Sequence, residues 1–148
     1  MLCSAGASEV LVEGMKLVSA TKTARTTEVC FVLLGQFNNG ICHAKLSWRR
    51  SGSHASVQFD GNRVLEREER YGDVVGFYHT HPDGFVQPSD RDVRTMGAWS
   101  FSFGKPLICA IGTSAGVQAW LFEPGADSEE QCARAAKFSG NWFVASLR

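Results

Sequence analysis

The stretch Gly76-Phe77-Tyr78-His79-Thr80-His81-Pro82-Asp83-Gly84-Phe85-Val86-Gln87-Pro88-Ser89-Asp90-Arg91-Asp92 is the most informative in the chain. It grows out of a short apolar run, Val74 to Tyr78, that reads as a strand. Side chains alternate faces along a strand, so His79 and His81 point to the same side and form a chelating pair at its end. The Pro- and Gly-bearing loop turns the chain back. A helix predicted from Ser89 to about Phe101 then places Asp92 in its first turn, facing the imidazoles. Two histidines and a carboxylate are a ligand set for catalytic zinc, which keeps a fourth position open for water.

Each piece also has a plainer reading. A lone histidine at a strand end is usually a satisfied polar residue, and Ser89 followed three residues later by Asp92 fits a helix capping box. The conjunction carries the weight: two histidines one residue apart, a proline, and then Pro-Ser-x-x-Asp with the acid eleven residues after His81. By the alternation rule Thr80 faces away from the ligands and reads as core packing. His43 and His54 lie outside the pattern and have no assigned role.

Working outward, Glu28 to Gly35 is a continuous apolar run that reads as a strand buried on both faces. Phe37-Asn38-Asn39-Gly40 is a turn, and Ile41 to Trp48 returns as the second arm of a hairpin. A helix is expected over Ser8 to about Thr21, a half-buried strand over Ala55 to Phe59 and a helix over Asp60 to Arg70. Strands over Pro106 to Ile111 and Val117 to Phe122 follow, and Ser128 to Phe138 is expected to be helical. Strands and helices interleave, so the class is α/β, in one domain spanning residues 1–148, a length that buries roughly 70% of the unfolded surface.

The central segment resembles the JAMM motif of the MPN-plus metalloproteases, His-x-His-Pro, a short loop and Pro-Ser-x-x-Asp, matched by His79, His81, Pro82, Pro88, Ser89 and Asp92. The family also places a glutamate at the start of its first buried strand, before an apolar run ending in Gly, and Glu28 to Gly35 has that form. The resemblance thus extends over roughly Glu28 to Phe122. It implies the MPN (JAB) fold, a mixed, mostly antiparallel curved sheet flanked by helices, with one zinc ion held by His79, His81 and Asp92. It implies Glu28 as the general base; without it, Glu66, Glu68 and Glu69 are equal candidates. It further implies Ser89 as an oxyanion donor, a contribution of roughly 3 kcal/mol, although the same residue can instead cap the helix.

Members of this family mostly cut after the C-terminal Gly-Gly tail of ubiquitin or a ubiquitin-like protein, so the expected partner is such a tail, paired as an added strand. Glu66 to Asp73 and the Asp83 to Gln87 loop are the expected contacts. Little chain separates Asp92 from the next strand, which points to a minimal, prokaryotic version. Thr95 to Trp99 and Gly104 to Ile108 resemble bacterial JAB peptidases encoded beside ubiquitin-like conjugation enzymes in antiviral operons, whose enzymes are then possible partners. The alternatives are trimming of a sulfur-carrier protein by the same metallopeptidase chemistry, and a non-enzymatic module that docks a tail.

Composition narrows the remaining classes. Fifteen basic residues balance 15 acidic ones, which gives no long-range attraction to nucleic acid or anionic lipid, and Trp48-Arg49-Arg50 reads as a solvated strand end. No stretch approaches the ~20 apolar residues of a membrane span, and the N-terminus lacks the basic start and apolar run of a secretory signal, so a cytoplasmic location is expected. The five cysteines are widely spread with no C-x-x-C pair and are expected to be reduced and mostly buried.

Overall fold

The computed structural model describes residues 28–52, 60–125, 131–132 and 135–146. The expected helix over Ser8 to Thr21 and strand over Ala55 to Phe59 lie outside these. Strand β1 (Val29–Asn38) and strand β2 (Ile41–Ser51) form the hairpin expected from the Asn-Gly signal. Asn39 and Gly40 both take positive φ, 52° and 77°, as a two-residue turn matched to strand twist requires. Helix α1 (Gly61–Tyr71) starts at Asp60, whose carboxylate accepts from Arg63 N, and stops at Gly72 in the left-handed conformation. Strand β3 (Val74–Thr80) follows at once. Helix α2 (Asp90–Phe103), strand β4 (Leu107–Thr113) and strand β5 (Gly116–Phe122) complete the expected series.

The C-terminal part corrects the sequence reading. Where Ser128 to Phe138 was expected to be helical, the chain forms strands β6 (Gln131–Cys132) and β7 (Ala135–Ser139), then β8 (Trp142–Ser146), which that reading did not include. The Glu-, Gln- and Ala-rich composition favours helix locally. Tertiary pairing overrides it: β7 pairs with β8 along its length, and Phe138 is buried against Tyr78 and Phe143.

The strands form one eight-stranded sheet among the described residues, in the order β6-β5-β4-β3-β1-β2-β8-β7, and only the β3–β4 pair is parallel. The sheet is strongly curved. Tyr78 on β3 and Phe138 on β7 lie four strands apart, about 19 Å in a flat sheet, yet their rings pack edge to face with centroids 5.0 Å apart. Moreover, β6 and β7 occupy opposite edges but are separated by only residues 133–134, which span at most about 11 Å. The two edges of the sheet are thereby drawn together.

Curling divides the apolar residues into two layers. The concave side holds Leu33, Cys42, Ala44, Val75, Tyr78, Ile108, Ala110, Leu121 and Phe143. The convex side packs Val32, Val74, Phe77, Leu107, Cys109, Ile111 and Trp120 against Val64 of α1 and Met96 of α2. On α2 the residues Val93, Met96, Trp99, Ser100 and Phe103 recur at helical spacing and fix which face meets the sheet. Gly76 allows β3 and β4 to approach, since a Cβ there would lie 2.1 Å from the Ile108 carbonyl oxygen. Cys30, Cys42 and Cys109 are buried free thiols, and burial pushes those of Cys30 and Cys42 up to about 12.

Candidate metal centre

The site forms where β3 ends. Cys109 and Ile111 face the helices, and Phe77 and His79, their parallel partners on β3, share that face. His79 and His81 therefore point toward α2, as alternation requires. There the Nε2 atoms of His79 and His81 lie 3.1 Å apart, and Asp92 Oδ2 lies 3.3 Å from the first and 3.4 Å from the second. The three side chains are only 12, 10 and 19% exposed.

This triangle fits a metal ion. Three donors bound tetrahedrally to zinc at 2.0–2.1 Å are separated by about 3.3 Å. The chemistry of the donors agrees. His81 Nδ1 lies 2.7 Å from the Phe85 carbonyl oxygen, which can only accept, so Nδ1 carries a proton; Nε2 then offers a metal its lone pair in the neutral imidazole and Asp92 an N–H in the charged one. A second imidazole nitrogen and a carboxylate oxygen at such distances suit a shared cation. His79, His81 and Asp92 are a group positioned to hold a metal ion.

The loop between the ligands is built to keep them there. Gly84 N–H donates to the His81 carbonyl, and Phe85 N–H donates to Asp83 Oδ1, an Asx turn that presents the Phe85 carbonyl to His81. His81 N–H donates to the Gly112 carbonyl, so the end of β3 leans on β4. At the start of α2, Asp92 N–H donates to Ser89 Oγ and Ser89 N–H donates to Asp92 Oδ2, a complete capping box. The capping and ligand readings of Asp92 are thus compatible, because one oxygen serves both. Although burial opposes ionisation, the hydrogen bonds from His79 and His81 hold the Asp92 carboxyl far below the usual carboxylate range. For His81, burial works against the charged form, but the bonds to Asp92 and Phe85 prevail and leave its pKa raised.

Glu28 reaches the site through strand register. Cys30 pairs with His79, so two residues earlier Glu28 falls opposite His81 on the same face. Burial pushes its carboxyl above the ordinary range, partly offset by the nearby His79 and His81, with Asp92 also within electrostatic reach. Of the four glutamates that sequence alone leaves equal, Glu28 is the one so placed. Glu68 is committed elsewhere, with its Oε1 accepting from Val74 N–H and from Lys105 Nζ.

The expected contact segment Glu66 to Asp73 lies away from the ligands. Asp73 precedes β3, whereas His81 follows its other end, more than about 20 Å along the strand. Within the segment Arg67 forms a two-bond pair with Asp73 at 2.9 and 2.7 Å. The Asp83 to Gln87 loop, by contrast, borders the ligands, with Phe85 59% and Val86 36% exposed. The Phe85 carbonyl was not singled out from sequence, since main-chain acceptors leave no residue-type signal. Trp48, expected at a solvated strand end, instead sits at a bulge with φ 56°, packs on the convex layer and carries Arg63 stacked 4.0 Å above its ring, whereas Arg49 and Arg50 are exposed.

Among the described residues no helix is long and apolar enough to cross a membrane. No curated protein matches the chain. The family described as prokaryotic homologs of the JAB domain, Prok-JAB, matches residues 15–123, a span holding Glu28, both histidines, Ser89 and Asp92. The three-ligand cluster at the end of β3 and the mixed, curved sheet that carries it agree with that match over most of the chain: it belongs to the family of prokaryotic JAB-domain homologs.

Proposed function

We propose that the chain is a zinc-dependent peptidase that cleaves after the C-terminal tail of ubiquitin or a ubiquitin-like protein, releasing it from a conjugate or a precursor. The observation that carries this reading is the convergence of two imidazole nitrogens and a carboxylate oxygen at 3.1–3.4 Å, with Glu28 two residues before Cys30, the strand partner of His79. A zinc ion held by His79, His81 and Asp92 supplies Lewis acidity and lowers the pKa of water toward ~7.

The remaining steps belong to the protein. Glu28, with a carboxyl shifted upward by burial, accepts the proton of the attacking water and delivers it to the leaving amine. Ser89 Oγ accepts from Asp92 N–H, so its own hydroxyl proton is available to a developing oxyanion while it caps α2. Phe85 and Val86 offer apolar surface beside the scissile position, where an extended tail would lie.

The test uses zinc-loaded protein and a panel of ubiquitin-like proteins, sulfur carriers included, each extended beyond its terminal Gly-Gly by a lysine-bearing peptide, with products read by mass spectrometry. Cleavage after Gly-Gly supports the proposal. Release of a single terminal residue from a sulfur carrier alone favours the trimming activity. Tail binding without cleavage, in protein that takes up no zinc, leaves the docking module and overturns the proposal.

A further inference from the structure

We infer that Thr80, the residue between the two histidines, is a positioning residue that holds Glu28 in place. This rests on the reading of Glu28 as general base. Thr80 is 4% exposed and faces away from the ligands, so it touches neither metal nor substrate. Its hydroxyl is nevertheless used: Thr80 Oγ1 accepts from Val29 N–H at 3.0 Å, a buried bond across 51 residues of sequence.

The ladder explains why a side chain is needed there. Pairing of β1 with β3 runs from Leu34–Val74 to Cys30–His79 and goes no further. Beyond that point β3 turns its main chain to β4, with Thr80 paired to Gly112 and His81 N–H donating to the Gly112 carbonyl. Pairing of the two strands thus stops before Glu28 and His81. That would leave the buried Val29 N–H without a partner, and the Thr80 hydroxyl supplies one.

Glu28 is gripped on both sides as a result. Its carbonyl accepts from Gly52 N–H at 3.0 Å, beside the end of β2, and the N–H of the same peptide group, on Val29, is tied to β3 through Thr80. A side chain just ahead of a strand would otherwise move with its fraying end. One hydroxyl, on the strand that carries both histidines, thus couples the base to the ligands. Valine has nearly the shape of threonine and no acceptor; serine keeps the acceptor.

The experiment compares wild type, Thr80→Val and Thr80→Ser in the full chain, with Thr80→Ala replacing the valine variant if that does not fold. Amide exchange at Val29, the Glu28 carboxyl carbon resonance, zinc content, kcat and KM are measured. In Thr80→Val, Val29 exchange should accelerate at least tenfold and the Glu28 resonance should move. In the same variant kcat should fall about 10–100-fold, with KM and zinc content unchanged. Thr80→Ser should restore all of these. Unchanged Val29 exchange and Glu28 resonance in Thr80→Val, or a serine variant as impaired as the valine one, overturns the inference. A wild type that cleaves nothing removes the base reading of Glu28, while exchange and resonance still decide whether Thr80 holds it.

Discussion

Replacing Glu28 by glutamine is the sharpest perturbation of this site, because it removes a charge and almost no volume. The main chain at Glu28 is fixed by bonds the substitution leaves intact, Gly52 N–H to its carbonyl and Val29 N–H to Thr80 Oγ1. Burial disfavours the carboxylate, whereas His79 and His81 favour it, so losing the charge gives opposing contributions. Folding stability should change by no more than about 1 kcal/mol. Glu28 lies outside the three-ligand group, so zinc should remain near one ion per chain. Catalysis should respond very differently: a positioned general base contributes about 10²–10⁴ in rate, and at 1.36 kcal/mol per decade Glu28→Gln should raise the barrier by about 2.7–5.4 kcal/mol. The assay is steady-state cleavage of a Gly-Gly-extended ubiquitin-like protein by zinc-loaded wild type and variant, with zinc measured on the same samples. A variant retaining more than about a tenth of wild-type kcat, or one that loses its zinc, would falsify the assignment.

Asp92→Asn should keep its amide oxygen on Ser89 N–H and hence the helix start, but bind zinc much more weakly; Asp92→Ala should bind equally poorly and lose about 1 kcal/mol more in urea unfolding of the metal-free protein. Ser89→Ala should cost about 1 kcal/mol of stability as a lost cap and lower kcat about 10²–10³-fold; loss of stability with unchanged kcat would restrict Ser89 to capping. The Asp73 carboxyl is held below its ordinary range chiefly by the Arg67 hydrogen bond, so its stabilisation is present above the unfolded pKa near ~3.9 and disappears as pH falls through the lower folded value. The stability gap between wild type and Asp73→Asn should therefore be largest near neutrality and shrink toward pH ~2, as read by denaturant titrations at each pH. Gly76→Ala should destabilise by about 3 kcal/mol or more, since the new methyl meets the Ile108 carbonyl across a strand pair that cannot separate; a thermal midpoint within a few degrees of wild type would contradict that packing.

What could be read from the chain followed from how local its causes are. The Asn39-Gly40 hairpin, the Ser89 cap and the alternation of His79 and His81 depend on neighbours within a few residues, and each lies where sequence placed it. The C-terminal strands were missed because Ala135 to Ser139 has little β preference of its own; its conformation comes from pairing with β8 and from Phe138 closing on Tyr78, both non-local. The Gly140-Asn141 turn between them was a hairpin signal that the helical composition before it obscured. Glu28 shows the same division. Residue type alone left it level with Glu66, Glu68 and Glu69, and its nearness to the histidines comes from the β1–β3 pairing, which no window of sequence contains.

Sequence reasoning set capping against ligation at Asp92, and the geometry dissolves the opposition in a way that bears on how the site is assembled. A carboxylate oxygen has two lone pairs. At Oδ2 one meets Ser89 N–H at 2.9 Å, and the other faces the imidazole nitrogens at 3.3 and 3.4 Å. The cap therefore aims the ligand, because the bond that starts α2 also fixes the rotation of the Asp92 side chain. A helix N-terminus is positive and by itself repels a cation, yet it favours a carboxylate in its first turn. Placing the anionic ligand there turns an unfavourable field into one that favours its ionised form. The histidines need the complementary device, a main-chain carbonyl on the far nitrogen of His81, supplied by the Asx turn from Asp83 to Phe85. Each half of the site is thus ordered by the hydrogen bonds that end one element and begin the next, so the ligands are set before any metal arrives.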